Sequence, residues 1–261
     1  MTPSPVSDTG PPVSPKDTFV TVYGRKPVLE ALRDPALAVD KVILAEGADH
    51  EAVRTFTEAA RARGLVLQRA TAQRVKVLAG NGRQDQGVLA DVVAPRMRPV
   101  EHFLADLGPS APARVLVLDG LTNPANVGMI LRSATGAGLE GVLLPRRGVP
   151  AIDPLVIKAS AGVAFHAPVL RSRTAATGLA ALAEAGFVLF GLDGAARESL
   201  FGAELPGRVA LVVGGETDGL TDDVRDELHG TLTIPLAEGV ESLNAACAAT
   251  VACFELARRL A

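Results

Sequence analysis

The chain contains few aromatic residues and few cysteines. Among its 261 residues there is no tryptophan, one tyrosine and eight phenylalanines. So few rings disfavour a protein that binds nucleic acid by stacking many bases on aromatic side chains. The two cysteines, Cys247 and Cys253, lie six residues apart in one apolar stretch, a spacing typical neither of a metal site nor of a redox motif. We therefore expect reduced core residues in a cytoplasmic protein, and no metal.

Long hydrophobic runs and a strong net charge are also absent. The chain has no apolar run long enough to predict a membrane span, and its N-terminus lacks the charged and apolar segments of a secretory signal. Because 48% of the residues are hydrophobic and the net charge is −3, the composition excludes a globally disordered chain. Residues 1–98 carry 14 Lys and Arg against 11 Asp and Glu, whereas residues 99–261 carry 12 against 18, which suggests two domains with different partners.

Prolines and apolar periodicity divide the chain into segments. Residues 1–18 hold five prolines and are expected to form a disordered tail. Residues 19–93 predict a small α/β domain, and residues 94–112, with four prolines, predict a linker that contains a short helix. In residues 113–261 apolar strands alternate with helices, which is typical of a parallel sheet covered on both faces, so the predicted fold class is α/β. The predicted strands are 41–45, 65–67, 87–93, 114–118, 141–144, 187–192, 209–213 and 231–234, and the predicted helices are 27–32, 51–63, 72–78, 100–107, 126–135, 154–161, 177–185, 222–228 and 242–260.

One glycine motif has the letters of a nucleotide site in the wrong context. The segment from Gly136 to Gly141 matches G-x-G-x-x-G, which binds a dinucleotide when a strand precedes the glycines and a helix follows them. Here a predicted helix comes first, so the glycines would meet helix carbonyls, which repel a pyrophosphate. We interpret the motif as a helix cap and a turn. A nicotinamide-dependent dehydrogenase is the hypothesis that rests on this motif alone.

Two loops that follow predicted strands have the composition of an active site. The first runs from Leu118 to Arg132, with Asn126 as the predicted N-cap of a helix and Arg132 inside that otherwise apolar helix. The second runs from Val213 to Leu220, and its adjacent glycines Gly214 and Gly215, which precede Glu216, let backbone amides approach a ligand. Both lie at the carboxyl ends of strands, where open α/β sheets bind ligands. An arginine that reaches solvent and a simple turn are the alternative interpretations.

A third loop precedes the C-terminal helix. It begins with Ile234-Pro235-Leu236 and ends with Ser242-Leu243-Asn244. Ser242 is the predicted N-cap of the helix, and a plain capped helix is the alternative interpretation. The predicted core face of this helix consists of Leu243, Cys247, Thr250 and Val251.

Taken together, the three loops resemble one family signature. They read N-P-x-N-x-G-x-x-x-R, then G-x-E-x-x-G-L, then I-P followed by S-L-N. In this order the chain resembles the SpoU/TrmH-type RNA 2′-O-ribose methyltransferases over residues 20–261. Segment 158–169 is similar to the central segment of that family. Segments 22–32 and 86–90 are similar to the substrate-binding domain of its two-domain members.

The resemblance implies a fold, a cofactor and a reaction. The C-terminal domain would be of the SPOUT type, with a deep trefoil knot, and would form a homodimer, while the small N-terminal α/β domain would bind RNA. The reaction would be methylation of a ribose 2′-hydroxyl in structured RNA, with large-subunit rRNA favoured by the two-domain layout. A tRNA 2′-O-methyltransferase and a non-catalytic RNA-binding relative are the alternatives. The cofactor would be S-adenosylmethionine, held by Gly214, Gly215, Ile234, Leu236 and Leu243.

The resemblance also implies roles for single residues. Arg132 would be the catalytic arginine, either as the base that takes the hydroxyl proton or as a charge that clamps a phosphate and stabilises the developing alkoxide. Asn126, Glu216, Ser242 and Asn244 would orient the reacting groups by hydrogen bonds. The candidate RNA-binding residues, which are otherwise ordinary solvated charges, are Arg25, Lys26, Arg69, Arg74, Lys76 and Arg83.

The chain departs from the family pattern at three points. Leu236 stands where the family usually has Met, and Ala245-Ala246 stands where it often has Val-Ser. Asp85 stands where a His often precedes Gln-Gly. This last change puts an anion in place of a possible cation at that RNA contact.

Overall fold

The computed structural model describes residues 17–80 and 84–259. Within them the chain forms two α/β units, one with a four-stranded sheet and one with a seven-stranded sheet. Residues 1–16 of the predicted tail and the RNA-binding candidate Arg83 lie outside the described residues. No helix in the described part of the chain is long and apolar enough to pass through a membrane.

The first unit is a mixed sheet with three helices. Its elements are β1 (Phe19–Tyr23), α1 (Arg25–Arg33), β2 (Val39–Ala45), α2 (His50–Ala62), β3 (Leu67–Ala70), α3 (Ala72–Ala79) and β4 (Val88–Val93). The strand order is β1-β4-β2-β3, and β4 runs antiparallel to both of its neighbours. The strand predicted at 65–67 begins only at Leu67, because the amide of Leu65 bonds to the carbonyl of Ala60 and completes the turn after α2.

The second unit is a parallel sheet with helices on both faces. Its elements are β5 (Arg98–Pro99), α4 (Val100–Asp106), β6 (Ala113–Leu118), α5 (Pro124–Gly136), β7 (Gly141–Leu143), α6 (Pro154–Ala159), a 3-10 helix (Val163–Phe165), β8 (Val169–Arg171), α7 (Ala175–Glu184), β9 (Val188–Leu192), β10 (Arg208–Val213), α8 (Asp222–Arg225), β11 (Gly230–Leu232) and α9 (Ala245–Arg258). The strand order is β11-β9-β10-β6-β7-β8-β5, and every neighbouring pair is parallel, which confirms the predicted sheet. Sequence reasoning missed β5 and β8: the two residues of β5 are too few to show a period, and in β8 only Val169 and Leu170 are apolar before an arginine. The implied knot stays a prediction.

The central strands of the second unit are buried on both faces. In β6, residues 115–118 are 0% exposed. Leu116 and Leu118 pack in one hydrophobic cluster with residues of α5 and α9, whereas Val115 and Val117 pack with α7 on the opposite face. Continuous apolar strands are needed where helices cover both faces of a sheet. The arrangement holds α5 and α9 on the same side of the sheet.

Helix α5 begins at Pro124, two residues before the predicted start, and its N-cap lies three residues before the predicted one. Its N-cap is Asn123 rather than Asn126, and the Asn123 side chain accepts a hydrogen bond from the amide of Ala125. Pro124 occupies the first helical position, which suits proline because that position needs no N–H donor. The shift leaves Asn126 inside the helix with its side chain available for other partners.

Helix α9 is capped by Asn244 rather than by Ser242. The Asn244 side chain accepts hydrogen bonds from the amides of two residues in the first turn. This start decides which residues face the sheet, and Cys247 is exposed rather than part of the core. Cys253 is buried as expected, and burial raises the pKa of its thiol to about 12. The most deeply buried side chains of the helix are Ala245, Ala246, Ala249, Ala252, Cys253 and Leu256.

The G-x-G-x-x-G segment forms the helix end and turn expected from its context. Helix α5 ends at Gly136, Gly138 has a φ of +73°, and β7 begins at Gly141. The glycines therefore follow the carboxyl end of a helix, where a pyrophosphate is disfavoured.

Gly128 lets α5 pack directly against α6. A Cβ atom at this position would lie 2.5 Å from the carbonyl oxygen of Val156 and 2.9 Å from the amide nitrogen of Ser160. Backbone atoms cannot yield as a flexible side chain would, so Gly128→Ala is expected to lower the free energy of unfolding by about 1–3 kcal/mol. Denaturant unfolding measures the change. Gly136→Ala on the same helix meets no heavy atom within 4 Å and is the control that should lose no stability.

Candidate active site

A cleft of about 490 Å³ lies at the carboxyl edge of the parallel sheet. The ends of β9, β10 and β11, which are neighbours in the sheet, contribute Asp193, Gly194, Gly214 and Ile234 to its walls. The N-terminus of α9 closes one side. The volume is within the usual range for small-molecule sites, and the position is the one where open α/β sheets bind ligands.

Glycines form the part of the cleft that follows β10. The amide of Gly215 bonds to the carbonyl of Gly219, and the amide of Gly219 bonds back to the carbonyl of Gly215, at 2.9 and 3.0 Å. A Cβ atom on Gly214 would lie 2.4 Å from the carbonyl carbon of Gly219, and one on Gly215 would lie 2.6 Å from the carbonyl oxygen of Gly120. Only glycine allows two backbone segments to lie this close at the cleft.

The cleft is rich in carboxylates. The side chains of Asp193, Glu216, Asp218 and Glu241 line it, and Arg225 is the one cation among the described lining residues. Asp193 accepts hydrogen bonds from the amide of Ala195 at 2.9 Å and from Arg225 at 3.0 Å. These bonds favour the charged form and lower the pKa of Asp193 below its usual value. The charge of the cleft suits a ligand that carries a positive centre.

Three polar residues from the three predicted loops meet beside the cleft. Nδ2 of Asn126 donates to Oε1 of Glu216 at 2.8 Å, and Nδ2 of Asn244 donates to the same oxygen at 2.5 Å. The Asn244 amide also lies 3.2 Å from Oδ1 of Asn126. Asn126 is only 2% exposed, so its amide needs these partners. The cluster ties together segments that are 90 and 118 residues apart in the chain.

The structure brings most of the predicted site residues together, but not Arg132. The cleft is lined by Gly214, Gly215, Glu216, Ile234, Leu236, Ser242, Leu243 and Asn244. Arg132 lies on the exposed face of α5, about 9 Å along the helix axis from Asn126. It makes no hydrogen bond or ion pair with any described residue. Its guanidinium is therefore free to contact a ligand or another chain.

Sequence reasoning missed three residues that shape this edge. Asp193 and Arg225 form the ion pair in the cleft. Asp119 is buried and accepts a hydrogen bond from the amide of Thr221 at 2.7 Å, which joins the end of β6 to the N-cap of α8, directly after the second loop. Both aspartates directly follow a predicted strand, and this position is the signal that could have identified them.

The comparison with family models agrees with the arrangement of the three loops. The model of the SpoU rRNA Methylase family matches residues 113–254, which is more than half of the chain. The chain belongs to the SpoU rRNA methylase family. A second model, described as RNA 2′-O ribose methyltransferase substrate binding, matches residues 21–98 of this SpoU protein.

Relatives of similar length are named as rRNA methyltransferases. The 23S rRNA (guanosine-2′-O-)-methyltransferase RlmB of Xylella fastidiosa (strain 9a5c) is 36% identical over 240 residues, which cover 91% of this chain and 96% of the relative. The protein of the same name from Ralstonia nicotianae is 32% identical over 238 residues, covering 91% and 95%. The solved structure of an AdoMet-bound rRNA methyltransferase from Sinorhizobium meliloti shares the fold, with a TM-score of 0.63 at 22% identity and coverage of 94% of this chain and 88% of that one.

The predicted RNA-binding residues of the SpoU substrate-binding segment differ in their surroundings. Arg25 pairs with Asp49, and Lys26 lies 3.9 Å from Glu30. Arg69 donates hydrogen bonds to the carbonyl oxygens of residues 45 and 46, so its side chain stabilises the end of β2. The two remaining candidates, which are exposed on α3 and whose side chains make no hydrogen bond or ion pair with described residues, are Arg74 and Lys76.

Asp85 and Gln86 stabilise the fold at the turn before β4. The carboxylate of Asp85 is buried and accepts a hydrogen bond from the amide of Gly87 at 2.7 Å. Oε1 of Gln86 accepts a bond from the amide of Arg25 at 2.9 Å, which satisfies a free donor at the N-terminus of α1. An aspartate at position 85 is thus explained by the turn that it closes.

Proposed function

We propose that this SpoU protein transfers a methyl group from S-adenosylmethionine to a ribose 2′-hydroxyl of large-subunit rRNA, at a guanosine. The observation that carries the proposal is the meeting of Asn126, Glu216 and Asn244 beside a glycine-walled cleft. The family match and the names of the relatives support the same reaction. The expected cytoplasmic location stays a prediction.

The residues of the cleft fit S-adenosylmethionine. The close backbone contacts of Gly214 and Gly215 leave a surface without side chains on which a flat or extended ligand can lie. Apolar walls come from Ile234, Leu236 and Leu243, and the carboxylates of the cleft complement a positive charge. The bound cofactor would supply a methyl group on a sulfonium, and its in-line transfer to the ribose 2′-oxygen would break the C–S bond, leave a neutral thioether and release the hydroxyl proton to water.

The chain's own residues would orient the ribose and stabilise charge. We assign to the amides of Asn126 and Asn244, held by Glu216, the positioning of the groups around the cleft. Ser242 is exposed at the cleft and can donate a hydrogen bond to the substrate. Arg132 carries a guanidinium without a carboxylate partner among the described residues. A guanidinium keeps its proton in proteins, so phosphate binding and stabilisation of the developing alkoxide are favoured over general-base catalysis.

Transfer of labelled methyl groups to defined RNA tests the proposed reaction. The protein is incubated with methyl-labelled S-adenosylmethionine and with unmodified transcripts of large-subunit rRNA or tRNA. A 2′-O-methyl group blocks alkaline cleavage of the next phosphodiester bond, so the expected product is a labelled, alkali-resistant dinucleotide from large-subunit rRNA that begins with guanosine. Label in a base, label only in tRNA, or no label would each contradict the proposal.

We also propose that the second unit forms a homodimer through α5 and α9. The hydroxyls of Ser133 and Thr250 meet at 2.7 Å between these helices. Met129 lies one turn from Ser133 on α5, and Phe254 lies one turn from Thr250 on α9. Both side chains are exposed, Met129 at 41% and Phe254 at 53%. Large exposed apolar side chains on adjacent helices are typical of a protein interface. Arg132 lies on the same face of α5 as Met129, so the arrangement of the two subunits would decide which cleft its guanidinium reaches.

The dimer is tested by a charge at the proposed interface. Phe254→Asp is expected to convert the dimer to a monomer in sedimentation velocity, because burying an unpaired carboxylate costs more than the contact gains. Phe201→Asp is the matched control: this phenylalanine is 48% exposed on the segment between β9 and β10 and should leave the dimer intact. A monomeric wild type, or a dimeric Phe254→Asp variant, would contradict the proposal.

A further inference from the structure

A cluster of four arginines lies at the carboxyl edge of the sheet, away from the cofactor cleft. Arg146 and Arg147 follow β7, and Arg171 and Arg173 lie at the end of β8. The amide of Arg146 bonds to the carbonyl of Ser172, which holds the two chain segments together. We call these four residues the arginine cluster.

The arginine cluster contains more positive charge than its surroundings neutralise. Arg146 pairs with the buried carboxylate of Asp17. Arg147 and Arg173 are exposed and make no hydrogen bond or ion pair within the described part of the chain. Of the four guanidiniums only that of Arg146 is paired with a described carboxylate, and Asp153 is the carboxylate that lines the cleft beside Arg171, so the cluster keeps an excess of positive charge that favours an anion.

Arg171 is the most constrained member of the cluster. Its Nε atom is buried and has no hydrogen-bond partner among the described residues, while one terminal nitrogen donates to the carbonyl of Leu144 at 2.6 Å. Burial, with repulsion by Arg146, lowers the pKa of Arg171 to about 10, against the attraction of Asp17. A partly buried guanidinium with an unsatisfied donor costs free energy, and such a cost is common where a site awaits a ligand.

Arg171 also faces a second cleft, which lies between the two units. This cleft has a volume of about 420 Å³. The first unit contributes β1 and the end of α3, and the second unit contributes residues 150–153 and Arg171. The exposed cations Arg74 and Lys76 of the first unit lie on α3, the helix whose last residues border this cleft.

The position of the arginine cluster relative to the methyl-transfer site indicates which anion it binds. The strand order β10-β6-β7-β8 puts three strand spacings between the glycine loop after β10 and Arg171. At about 4.8 Å per spacing, the arginine cluster lies roughly 14 Å from that loop along one edge of the sheet. A nucleic-acid strand whose ribose enters the cofactor cleft can cover this distance with a few nucleotides. The short distance to the methyl-transfer site therefore favours the substrate RNA over an unrelated acidic protein as the ligand of the cluster.

We propose that the arginine cluster binds backbone phosphates of the substrate RNA and guides the strand from the cofactor cleft into the cleft between the two units. The inference rests on the proposed function, because it takes RNA as the substrate. Arg147 and Arg173 would contact phosphates directly, whereas Asp17 occupies Arg146 and competes with the RNA for it. The second unit would thus hold RNA by itself, in addition to the substrate-binding segment.

The first test removes two exposed charges. The Arg147→Ala/Arg173→Ala variant is compared with wild type by fluorescence anisotropy of a labelled fragment of large-subunit rRNA at several salt concentrations. The slope of the logarithm of the association constant against that of salt should become shallower by about 1.4, because each lost phosphate contact on a single strand contributes about 0.7. Affinity should fall on the order of 10-fold, KM for RNA should rise, and kcat and S-adenosylmethionine affinity should stay unchanged.

Two further variants belong to the experiment: a control that removes two arginines elsewhere, and a variant that is expected to strengthen RNA binding. Arg33→Ala/Arg54→Ala removes two exposed arginines of α1 and α2 and should keep the wild-type slope. Asp17→Asn should steepen the slope by about 0.7 and tighten binding, since it releases Arg146. The proposal is overturned if the Arg147/Arg173 variant keeps the wild-type slope and KM, or if its loss equals that of the control. A wild type that binds and methylates no rRNA would instead refute the proposed function.

Discussion

Replacement of Arg132 by alanine is expected to lower kcat about 100- to 1,000-fold while the affinity for S-adenosylmethionine stays unchanged. The side chain lies on the exposed face of α5 and does not line the cofactor cleft of its own chain, so its loss leaves that cleft intact. It has no partner among the described residues, so the variant should unfold at the same denaturant concentration as wild type. Single-turnover methylation and calorimetric titration of the cofactor measure the two quantities.

Two further variants separate the possible roles of Arg132. Arg132→Lys keeps the charge but loses the planar fork, so it should also be impaired if the guanidinium binds a phosphate through two donors. A role confined to holding the ground-state phosphate would raise KM for RNA, whereas stabilisation of the alkoxide would lower kcat. Arg197→Ala, which removes another exposed arginine, should leave both constants unchanged. Full activity of Arg132→Ala would exclude this residue from catalysis.

Replacement of Gly214 by alanine is expected to weaken S-adenosylmethionine binding about 100-fold or more. The added Cβ would lie within 2.7 Å of three backbone atoms of Gly219 and Leu220, none of which can rotate away. The second loop would have to move, and with it Glu216 and the hydrogen bonds to Asn126 and Asn244. Both cofactor affinity and kcat should therefore fall, unlike the effect of Arg132→Ala.

A glycine in open space is the control for Gly214. A Cβ on Gly47 meets no heavy atom within 4 Å, so Gly47→Ala should bind the cofactor as wild type does. Circular dichroism checks that Gly214→Ala keeps its secondary structure, since its strand lies in a sheet that is buried on both faces. Wild-type cofactor affinity of Gly214→Ala would show that the cofactor binds elsewhere.

The elements of the second unit could be predicted well from local patterns. The apolar segments at 114–118 and 209–213 are β6 and β10, the central strands, because a strand covered on both faces must be apolar throughout. Short edge strands such as β5 carry no comparable pattern. Helix starts were less predictable, since Asn123 and Asn126 are both good N-caps and only the backbone position of Pro124 distinguishes them.

In the candidate site, too, some features could be predicted from local patterns and others could not. The order of the three loops was enough to identify the family, and the residues expected around the cofactor do line one cleft. Charged residues were harder to place, because a surface arginine looks the same in sequence whether it is free or bonded. Arg69, which stays a predicted RNA-binding residue, bonds to two backbone carbonyls, whereas Arg171 was not among the candidates and has an unsatisfied donor.

The sequence by itself determined the fold class, the strand ends that carry polar loops, and the family, because these depend on residues that are neighbours in the chain. The tertiary structure alone decided that Asn126 bonds to Glu216 instead of capping its helix, that Arg132 faces outward, and that four arginines share one edge of the sheet. These facts depend on which strands are neighbours and on which helix face is buried. Contacts across 90 or more residues are set by the packing of the whole sheet, and no local pattern encodes them.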